Sequence, residues 1–399
     1  MQRKILAVVP SLLGNDGSAV NERQLLEYLC GYGKCYVISG VPSIKKMPSL
    51  IKDFKNMHLN FSFVLFLPVL SVPIILLFLS IILLPVIFLL DKIKKFNLIY
   101  VRTPLLSFGI FASSSLMKKT CVKLTGIFED EIRSNLLAPS SILKIVDRVV
   151  LSKAAVVATP SPILLKRIAI RRRAAPRGKV VFVPAGVDEK KIETIRRINA
   201  RLNRDRYLVG FVGTLNWWQG VDLLIRAVAK VSEKLKVTLL IVGDGPERKK
   251  IEKLCEELKV NCVITGYVRH EVALALLSNL DVLVVPSVNV ITTESNIPIK
   301  IIEAWALGVP VVTSSHEIYK YLGLRDEEYL LYCEPEPSDI AEKILKILTN
   351  PELREKLARN GREIAKKFYY RNIVSRGIQT CDSFVMDSPG RRVLISSGF

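Results

Sequence analysis

Short apolar runs alternate with amphipathic segments along most of the chain. In the N-terminal part these runs predict a helix over about 19–32 and strands near 4–9, 35–39, 98–101, 121–124, 155–158 and 180–183. A second series predicts strands at 207–213, 237–242, 261–264, 281–285, 310–313 and 329–332. Helices are predicted at 220–234, 246–258, 269–278, 298–307 and 338–348, and a charged amphipathic helix over 351–370. This alternation is typical of parallel sheets covered on both faces, so the sequence predicts two doubly wound α/β domains that face each other across a cleft.

Residues 61–90 interrupt this alternation, since they contain no Asp, Glu, Lys, Arg or His. The run is longer than an ordinary strand or core helix, and Pro68, Pro73 and Pro85 disfavour one straight helix. Lysines flank both ends, which favours both ends on the cytoplasmic side. Because strands of one sheet are predicted on either side of the segment, a single crossing would divide that sheet. We therefore expect it to dip into the membrane and return, or to lie in the interface; an apolar helix packed between subunits or domains is the alternative.

The excess of positive charge indicates which binding partners are expected. The chain carries 58 Lys and Arg against 37 Asp and Glu, a net charge of +21. Seventeen basic and five acidic residues lie between Lys144 and Arg206, so more than half of the excess is found there. A surface of this kind attracts nucleic acid or anionic lipid. No RNA-binding signature accompanies it, and the apolar segment favours an anionic membrane surface; a solvated basic face without a partner is the alternative.

The cysteines and histidines indicate the cellular compartment and whether a metal site is expected. The seven cysteines are scattered without a C-x-x-C pair, which argues against a disulfide scaffold and a zinc site and fits a reducing cytosol. The three histidines are far apart in the sequence, so no metal site is expected. The N-terminus lacks the long apolar run of a signal peptide.

Candidate chemistry lies where predicted strands of the second series end. Gly213 ends the first strand and is followed by a loop that enters a helix near Gly220, where free backbone amides suit a phosphate. The segments 243–246 and 266–268 close the next two strands in the same way. The loop 243–246 does not satisfy the pattern G-x-G-x-x-G, so a dinucleotide-binding fingerprint is unsupported.

Lys300 and Glu303 stand one turn apart in the helix that Pro298 begins. A cation beside a helix N-terminus is unfavourable unless an anion binds there. A phosphate would resolve that conflict, and Glu303 could then accept hydrogen bonds from ribose hydroxyls. The alternative is a solvated Lys–Glu pair at positions i and i+3.

The ordered set of these motifs resembles glycosyltransferase family 4, strongly over about 180–370 and mainly in topology over 1–180. The motifs are Pro184-x-Gly-Val-Asp188, Val212-Gly-Thr-Leu215 with Gln219-Gly-Val-Asp222, Gly243-Asp-Gly-Pro246, Gly266-x-Val268, Pro286-Ser287, and Pro298-x-Lys-x-x-Glu303-Ala with Gly308-Val-Pro310. The resemblance implies the α/β GT-B fold and metal-independent transfer from a nucleotide-diphosphate sugar with retention of configuration. We place an acceptor-side and membrane-facing domain at 1–182, a nucleotide-sugar domain at 183–366, and a helix returning to the first domain with a tail at 367–399.

The resemblance also implies roles for individual residues. Glu303 would hold the ribose, and Glu294 would lie near the donor sugar. The donor-binding positions are Gly213, Thr214, Gln219, Gly243, Gly266, Tyr267, Val268, Lys300 and Glu303. We count Glu294, Lys300 and Glu303 as candidate catalytic residues. Gly14, Gly17 and Ser18 belong to the loop that corresponds to the family's glycine-rich loop near the phosphate and the acceptor.

The sequence departs from the family at three places. Thr214 and Gln219 stand where an Arg and a Lys are usual, so Lys300 is our candidate for the missing charge at the diphosphate. Eight residues instead of seven separate Glu294 from Glu303. Phe128-Glu129-Asp130-Glu131 occupies the region where many members carry a histidine, and Glu129 or Asp130 faces either the cleft or solvent.

These observations predict a hexosyltransferase of the EC 2.4 class that acts on a lipid-linked acceptor. It uses a UDP- or GDP-linked sugar, needs no cofactor and binds no nucleic acid. Its expected location is the cytoplasmic side of the cell membrane, as a peripheral or monotopic protein. A non-catalytic membrane adaptor that keeps the fold, or a GT-B enzyme with a soluble substrate, is the alternative.

Overall fold

The structure is a computed structural model that describes residues 3–10, 12, 17–40, 61–67, 73–126, 140–198, 205–288 and 291–376. Its contacts divide the chain into two units. The first runs from the N-terminus to Pro184 and includes the described residues that follow Tyr370. The second is Ala185–Tyr370.

The first unit is built on a parallel sheet. Its described strands are β1 (Arg3–Val9), β2 (Gly33–Gly40), β3 (Phe63–Leu67), β4 (Leu98–Arg102), β5 (Thr120–Lys123), β6 (Val156–Thr159) and β7 (Lys179–Phe182). They lie in the order β3-β2-β1-β4-β5-β6-β7, and every pair is parallel. In register, Ile5 of β1 lies opposite Cys35 on one side and Leu98 on the other. Residues 5–9 are all buried, as the central strand of a sheet covered on both faces requires.

Helices connect these strands. They are α1 (Gly17–Cys30), α2 (Pro73–Lys94), α3 (Pro104–Ser107), α4 (Ser114–Met117), α5 (Ser140–Lys153) and α6 (Pro162–Arg172), with a 3-10 turn over Phe108–Ala112. Local chemistry sets both ends of α6. The Ser161 hydroxyl accepts a hydrogen bond from Leu164 N at 3.1 Å, and Pro162 fills the first helical position. Arg173 ends the helix in the left-handed conformation.

The described parts of the apolar segment, 61–67 and 73–90, belong to the first unit. Phe63–Leu67 is an edge strand beside β2, and α2 follows with Pro85 in its interior. Leu76, Leu83 and Ile87 of α2 are buried. Among the described residues, Leu76–Lys94 is the one stretch of helix long and apolar enough to cross a membrane. The prediction that 61–90 does not form one straight helix is confirmed.

One cysteine pair differs from the sequence-based expectation. Cys30 and Cys35 are joined by a disulfide with a Cα–Cα distance of 5.2 Å, a single bond that the argument against a disulfide scaffold did not anticipate. The two residues stand at the end of α1 and within β2, and the short turn between these elements brings them together. A spacing of five residues carries no recognised motif, which is why the sequence did not indicate the bond.

The second unit is built on another parallel sheet. Its described strands are β8 (Tyr207–Val212), β9 (Val237–Val242), β10 (Cys262–Ile264), β11 (Val282–Val285), β12 (Val311–Ser314) and β13 (Leu331–Cys333). Their order, β10-β9-β8-β11-β12-β13, is that of a doubly wound nucleotide-binding fold. The direction of winding reverses between β8 and β11. The carboxyl ends of these two strands are therefore where a ligand is expected.

Helices cover this sheet on both faces. They are α7 (Glu189–Ile198), α8 (Val221–Ser232), α9 (Arg248–Glu257), α10 (His270–Ser278), α11 (Ile291–Ser295), α12 (Ile299–Leu307), α13 (Glu317–Tyr321), α14 (Pro337–Thr349) and α15 (Pro351–Ala365). Leu224 and Val228 of α8 and Ile344 of α14 belong to the buried apolar core. Trp305 on α12 is fully buried and donates its indole N–H to Tyr329 O at 3.0 Å. The predicted helix over 351–370 ends at Ala365, and a 3-10 turn follows it.

Candidate functional site

Three glycine turns meet at the carboxyl ends of β8, β9 and β10. Gly213 N donates to Val242 O at 2.9 Å, and Gly243 forms a bridge with Gly266. Gly213 and Gly243 have φ angles of 135° and 145°, which side chains rarely adopt. A Cβ atom on Gly243 would lie 2.0 Å from Gly213 O. Glycine is required at both positions, and the packed turns present bare backbone at the ligand edge of the sheet.

The loop after β8 reaches across the point where the winding reverses. It forms a 3-10 turn over Trp217–Gln219 and enters α8 through Gly220 in the left-handed conformation. Val288 N, just after β11, donates to Trp218 O at 2.9 Å. This bond fixes the loop against the next strand and sets the position of Gln219.

Lys300 lies in the first turn of α12, as predicted, and only 7% of the residue is exposed. Its Nζ donates to Gln219 Oε1 at 3.0 Å and lies 4.0 Å from the centroid of the Phe211 ring. A Cβ atom on Gly213 would come within 2.7 Å of Nζ. Burial lowers the pKa of Lys300 to about 7, against the charge of Glu303, which raises it. Lys300 has no ion pair among the residues that the structure describes.

Glu303 is 5% exposed and is held by a histidine that the motif analysis missed. His270 Nε2 lies 2.6 Å from Glu303 Oε1. The alternative of a solvated Lys300–Glu303 pair is therefore wrong, because both side chains are buried and each bonds a different partner. His270 begins α10 directly after the Gly266 turn, and this position after a strand-end glycine is the signal that could have found it. Its Nδ1 is buried without a hydrogen-bond partner in the described part of the chain.

Glu294 is held by a second histidine. His316 is fully buried; its Nε2 lies 2.9 Å from Ser287 Oγ and its Nδ1 lies 3.3 Å from Glu294 Oε1. Glu317 N donates to the other Glu294 oxygen at 2.8 Å. Burial lowers the pKa of His316, although Glu294 opposes this, so the imidazole is neutral at pH 7. Glu294 stands on α11, a helix separate from α12, so the intervening turn absorbs the extra residue between Glu294 and Glu303.

The other predicted donor positions are less enclosed. Thr214 and Tyr267 are exposed, and Val268 is half-buried. Arg248, which the sequence analysis did not single out, bonds Asp244 at 2.9 Å and Glu252 at 2.7 Å. A Cβ atom on Gly266 would come within 2.8 Å of this guanidinium. The Arg248 side chain therefore lies directly beside the Gly266 turn.

The predicted acceptor-side residues fall partly outside the described chain. Gly17 and Ser18 form the first turn of α1, whereas Gly14 and the segment 128–131 lie outside the described residues. Gly14, Glu129 and Asp130 therefore stay predictions.

A cluster of buried charge lies at the carboxyl ends of β4 and β5, and the motifs gave no signal for it. Glu22 of α1 accepts hydrogen bonds from Tyr100 and, at 3.0 Å, from Lys123 Nζ, and lies 3.6 Å from Arg102 Nε. Burial would raise the pKa of Glu22, but the two cations and the Tyr100 hydroxyl outweigh it and hold the pKa low. Thr103 follows with a φ angle of 82°, which is unfavourable for a β-branched residue.

The basic run between Lys144 and Arg206 divides between the two units at Pro184. Within it, Arg172 is buried and pairs with Asp147 at 2.6 Å. Nowhere in the described ranges do three or more His, Cys, Asp or Glu side chains form a group that could hold a metal ion.

Part of the chain is similar to known protein families. Residues 191–364 match the family model described as Glycosyl transferases group 1. An uncharacterized glycosyltransferase of Methanocaldococcus jannaschii, MJ1607, is 31% identical over 211 residues, which are 51% of this chain and 51% of that protein. The chain thus matches about half the length of this curated relative.

Solved structures resemble nearly the whole chain. Sucrose-phosphate synthase from Thermosynechococcus elongatus has a TM-score of 0.72 at 21% identity, with 96% of this chain and 99% of that chain covered. HepE of Anabaena, in complex with UDP and glucose, has a TM-score of 0.71 at 18% identity, with 96% and 100% covered. These likenesses, together with the two parallel sheets, confirm the predicted α/β GT-B fold.

Proposed function

We propose that the protein transfers a hexose from a UDP- or GDP-linked sugar, because residues 191–364 match the family model of group 1 glycosyl transferases. The acceptor we propose is lipid-linked and is reached at the cytoplasmic membrane face. One observation supports the proposed binding of the sugar nucleotide. The glycine turns lie next to the first turn of α12. Bare backbone and the buried Lys300 side chain lie together there, at the point where doubly wound sheets bind nucleotides.

Each site residue has a role in this proposal. The diphosphate lies against Gly213 and the N-terminal amides of α12, with Lys300 as its cation. Glu303 binds the ribose through the oxygen that His270 does not hold. Glu294 contacts the donor sugar from a position that His316 fixes. The base lies beside the Gly266 turn, near Tyr267 and Val268.

The main catalytic requirement of the proposed reaction is stabilisation of the departing diphosphate. As the bond from the sugar C1 to the phosphate oxygen breaks, negative charge grows on the departing diphosphate, and a fixed cation and helix amides stabilise it. The acceptor hydroxyl attacks C1 from the same face, and its proton passes to the departing phosphate oxygen. The configuration at C1 is retained. Lys300 and α12 supply the charge, so we propose that the reaction needs no metal or other cofactor.

The acceptor half of the proposal rests on α2. Along one side of this helix Phe78, Ile82, Leu89 and Ile93 are exposed, Ile82 by 66% and Leu89 by 58%. Its other side is buried in the N-terminal unit. A helix packed on its own domain along one side lies in the membrane interface rather than across the bilayer.

Basic side chains stand where this helix would meet lipid headgroups. Lys92, Lys94 and Lys95 follow the apolar stripe, and Lys92 Nζ lies 4.7 Å from the centroid of the Phe88 ring. Apolar residues beside lysines fit a bilayer surface that carries anionic lipid. This supports a peripheral or monotopic protein and an acceptor presented by the membrane.

Donor binding is the first test of this function. Calorimetric titration with UDP, GDP, UDP-glucose and GDP-mannose should give a dissociation constant for one base, and Glu303→Gln should weaken it at least tenfold. Glu256→Gln, at an exposed position on α9, is the matched control and should bind as the wild type does. If a folded protein binds none of these nucleotides, the transferase proposal fails and the adaptor takes its place.

Vesicle flotation tests the membrane half. The protein should float with vesicles of phosphatidylcholine and phosphatidylglycerol better than with phosphatidylcholine alone. Ile82→Glu and Leu89→Glu should each weaken binding by about tenfold or more, since burying such a side chain is worth about 1.5–3 kcal/mol. Val263→Glu, at an exposed valine of β10 in the second unit and outside the basic run, should change little. Equal binding by all variants would contradict the assignment, and a labelled product that stays in water rather than organic solvent would contradict a lipid acceptor.

A further inference from the structure

Lys300 differs from two other buried basic side chains of the described chain, Lys123 and Arg172. Lys123 pairs with Glu22 at 3.0 Å, and Arg172 pairs with Asp147 at 2.6 Å. Lys300 is also buried, but its hydrogen-bond acceptor is the neutral Gln219 amide, and its Nζ lies 4.0 Å from the centroid of the Phe211 ring. A buried ammonium is expensive unless an anion compensates it. The folded protein thus holds a cation position whose counter-ion is not provided by a described residue.

The surroundings of Lys300 explain this. Phe211 on β8 and Gln219 in the 3-10 turn face it, and both are uncharged. From its own helix Glu303 acts on it, but that carboxylate is bonded to His270 of α10. The neighbouring acidic residue on α11, Glu294, is bonded to His316 and to a backbone amide. Both carboxylates are engaged elsewhere, and the space beside Nζ exists because Gly213 has no Cβ.

We propose that the donor diphosphate supplies the missing anion and that a proton enters the site with it, so that Lys300 gains its full charge only when the donor is bound. The inference rests on the proposed function, since it specifies how that site gains its charge. The step requires one proton and no other reactant. The amine of Lys300 takes one proton from solvent, and the diphosphate binds the resulting ammonium.

The direction of the pH dependence follows from burial. Removal from water lowers the pKa of Lys300 to about 7 in the free protein. An adjacent diphosphate carries negative charge and raises the pKa of this group in the complex. Donor affinity is therefore highest below pH 7, where the ammonium is already present. Above pH 7 the dissociation constant rises, up to about tenfold for each pH unit, until the pKa of the complex is reached.

Calorimetry measures the proton directly. UDP-glucose and GDP-mannose are suitable probes, because a sugar-linked diphosphate lacks the terminal phosphate group that titrates near pH 6. Titrations at pH 8.5 in two buffers of different ionisation enthalpy should show uptake of about one proton per bound donor, and those at pH 6 should show almost none. The dissociation constant should rise by about tenfold between pH 7.5 and pH 8.5. No variant is needed for this measurement.

Variants assign the proton to Lys300. Lys300→Arg keeps a permanent charge, so its remaining binding should be free of proton uptake and independent of pH. Lys300→Met should bind more weakly by at least tenfold at pH 6 and also take up no proton. Lys234→Gln, at an exposed lysine of the same unit, should reproduce the wild type.

The outcomes separate the two proposals. Donor binding that is independent of pH and takes up no proton would overturn this inference and leave the transferase function standing. Uptake that persists in Lys300→Met would overturn the assignment to Lys300. Binding of neither donor at any pH between 6 and 9 would overturn both proposals.

Discussion

Replacement of Lys300 by methionine should stabilise the protein while it weakens donor binding. The pKa of Lys300 falls from an ordinary value of 10.5 to about 7 because the side chain is buried. At about 1.4 kcal/mol for each pH unit, this difference corresponds to a penalty of about 5 kcal/mol for the charged form. The figure is an upper bound, because relaxation and water entry reduce such penalties. We expect Lys300→Met to raise the free energy of unfolding by about 2–4 kcal/mol at pH 6.

The sign of the pH dependence is fixed by proton binding. Below pH 7 the lysine is charged in the folded and the unfolded chain, and the penalty is present in full. Between pH 7 and 10.5 the unfolded chain still holds the proton that the folded chain has lost, so the stability of the wild type rises with pH. The advantage of Lys300→Met should therefore shrink through this window, to less than about half its pH 6 value at pH 9.

Tryptophan fluorescence is the natural assay. All three tryptophans, Trp217, Trp218 and Trp305, lie in the second unit, so urea unfolding followed by their emission reports the unit that contains Lys300. Lys234→Met, at an exposed position, should change the free energy of unfolding by less than about 0.5 kcal/mol. A Lys300→Met protein that is no more stable than the wild type at pH 6, or whose advantage does not shrink with pH, would refute the reasoning.

Three further predictions concern backbone strain and the buried histidine. Gly213→Ala should cost about 1–3 kcal/mol, since φ is 135° there, and should abolish donor binding by displacing the Lys300 ammonium; unchanged calorimetric affinity would contradict this. His316→Phe should lower turnover more than donor affinity, because it releases Glu294 while leaving Lys300 in place; steady-state kinetics with an unchanged kcat would count against it. Thr103→Gly should be less destabilising than Thr103→Ala by about 1 kcal/mol in thermal unfolding, since both lose the hydroxyl that accepts a hydrogen bond from Leu106 N at 3.4 Å but only glycine relieves the φ of 82°; equal stability of the two variants would contradict this.

The elements of the second unit were predictable because their signals are local. Residues 237–242 form a strand at the predicted bounds, and the other strands of that sheet differ from the predictions by no more than two residues at either end. Buried parallel strands are short apolar runs, and each is bounded here by glycine, proline or a charged helix. The position of Lys300 was predictable for the same reason, since Pro298 marks the helix start.

The partners of the site residues were not predictable, because they depend on contacts between distant positions. His270 is 33 residues from Glu303, and His316 is 22 residues from Glu294. A lone histidine in a sequence has no period or spacing that assigns it to a carboxylate. Residues 63–67 were missed as a strand for a related reason, since an apolar run has the same composition in an edge strand, a core helix and a membrane segment.

The proposed role of Lys300 in place of loop cations has an energetic consequence. Where the family resemblance implies an Arg and a Lys in the loop after β8, this chain has the exposed Thr214 and the amide of Gln219. A loop cation is solvated, costs little in the free protein and has to be desolvated when the diphosphate arrives. A buried lysine on a helix has already lost its water, so below pH 7, where Lys300 is charged, the folded protein carries that cost and the bound diphosphate meets a fixed, poorly hydrated charge. The free energy that Lys300→Met should return to folding is thus the same free energy that the wild type makes available to hold the departing diphosphate.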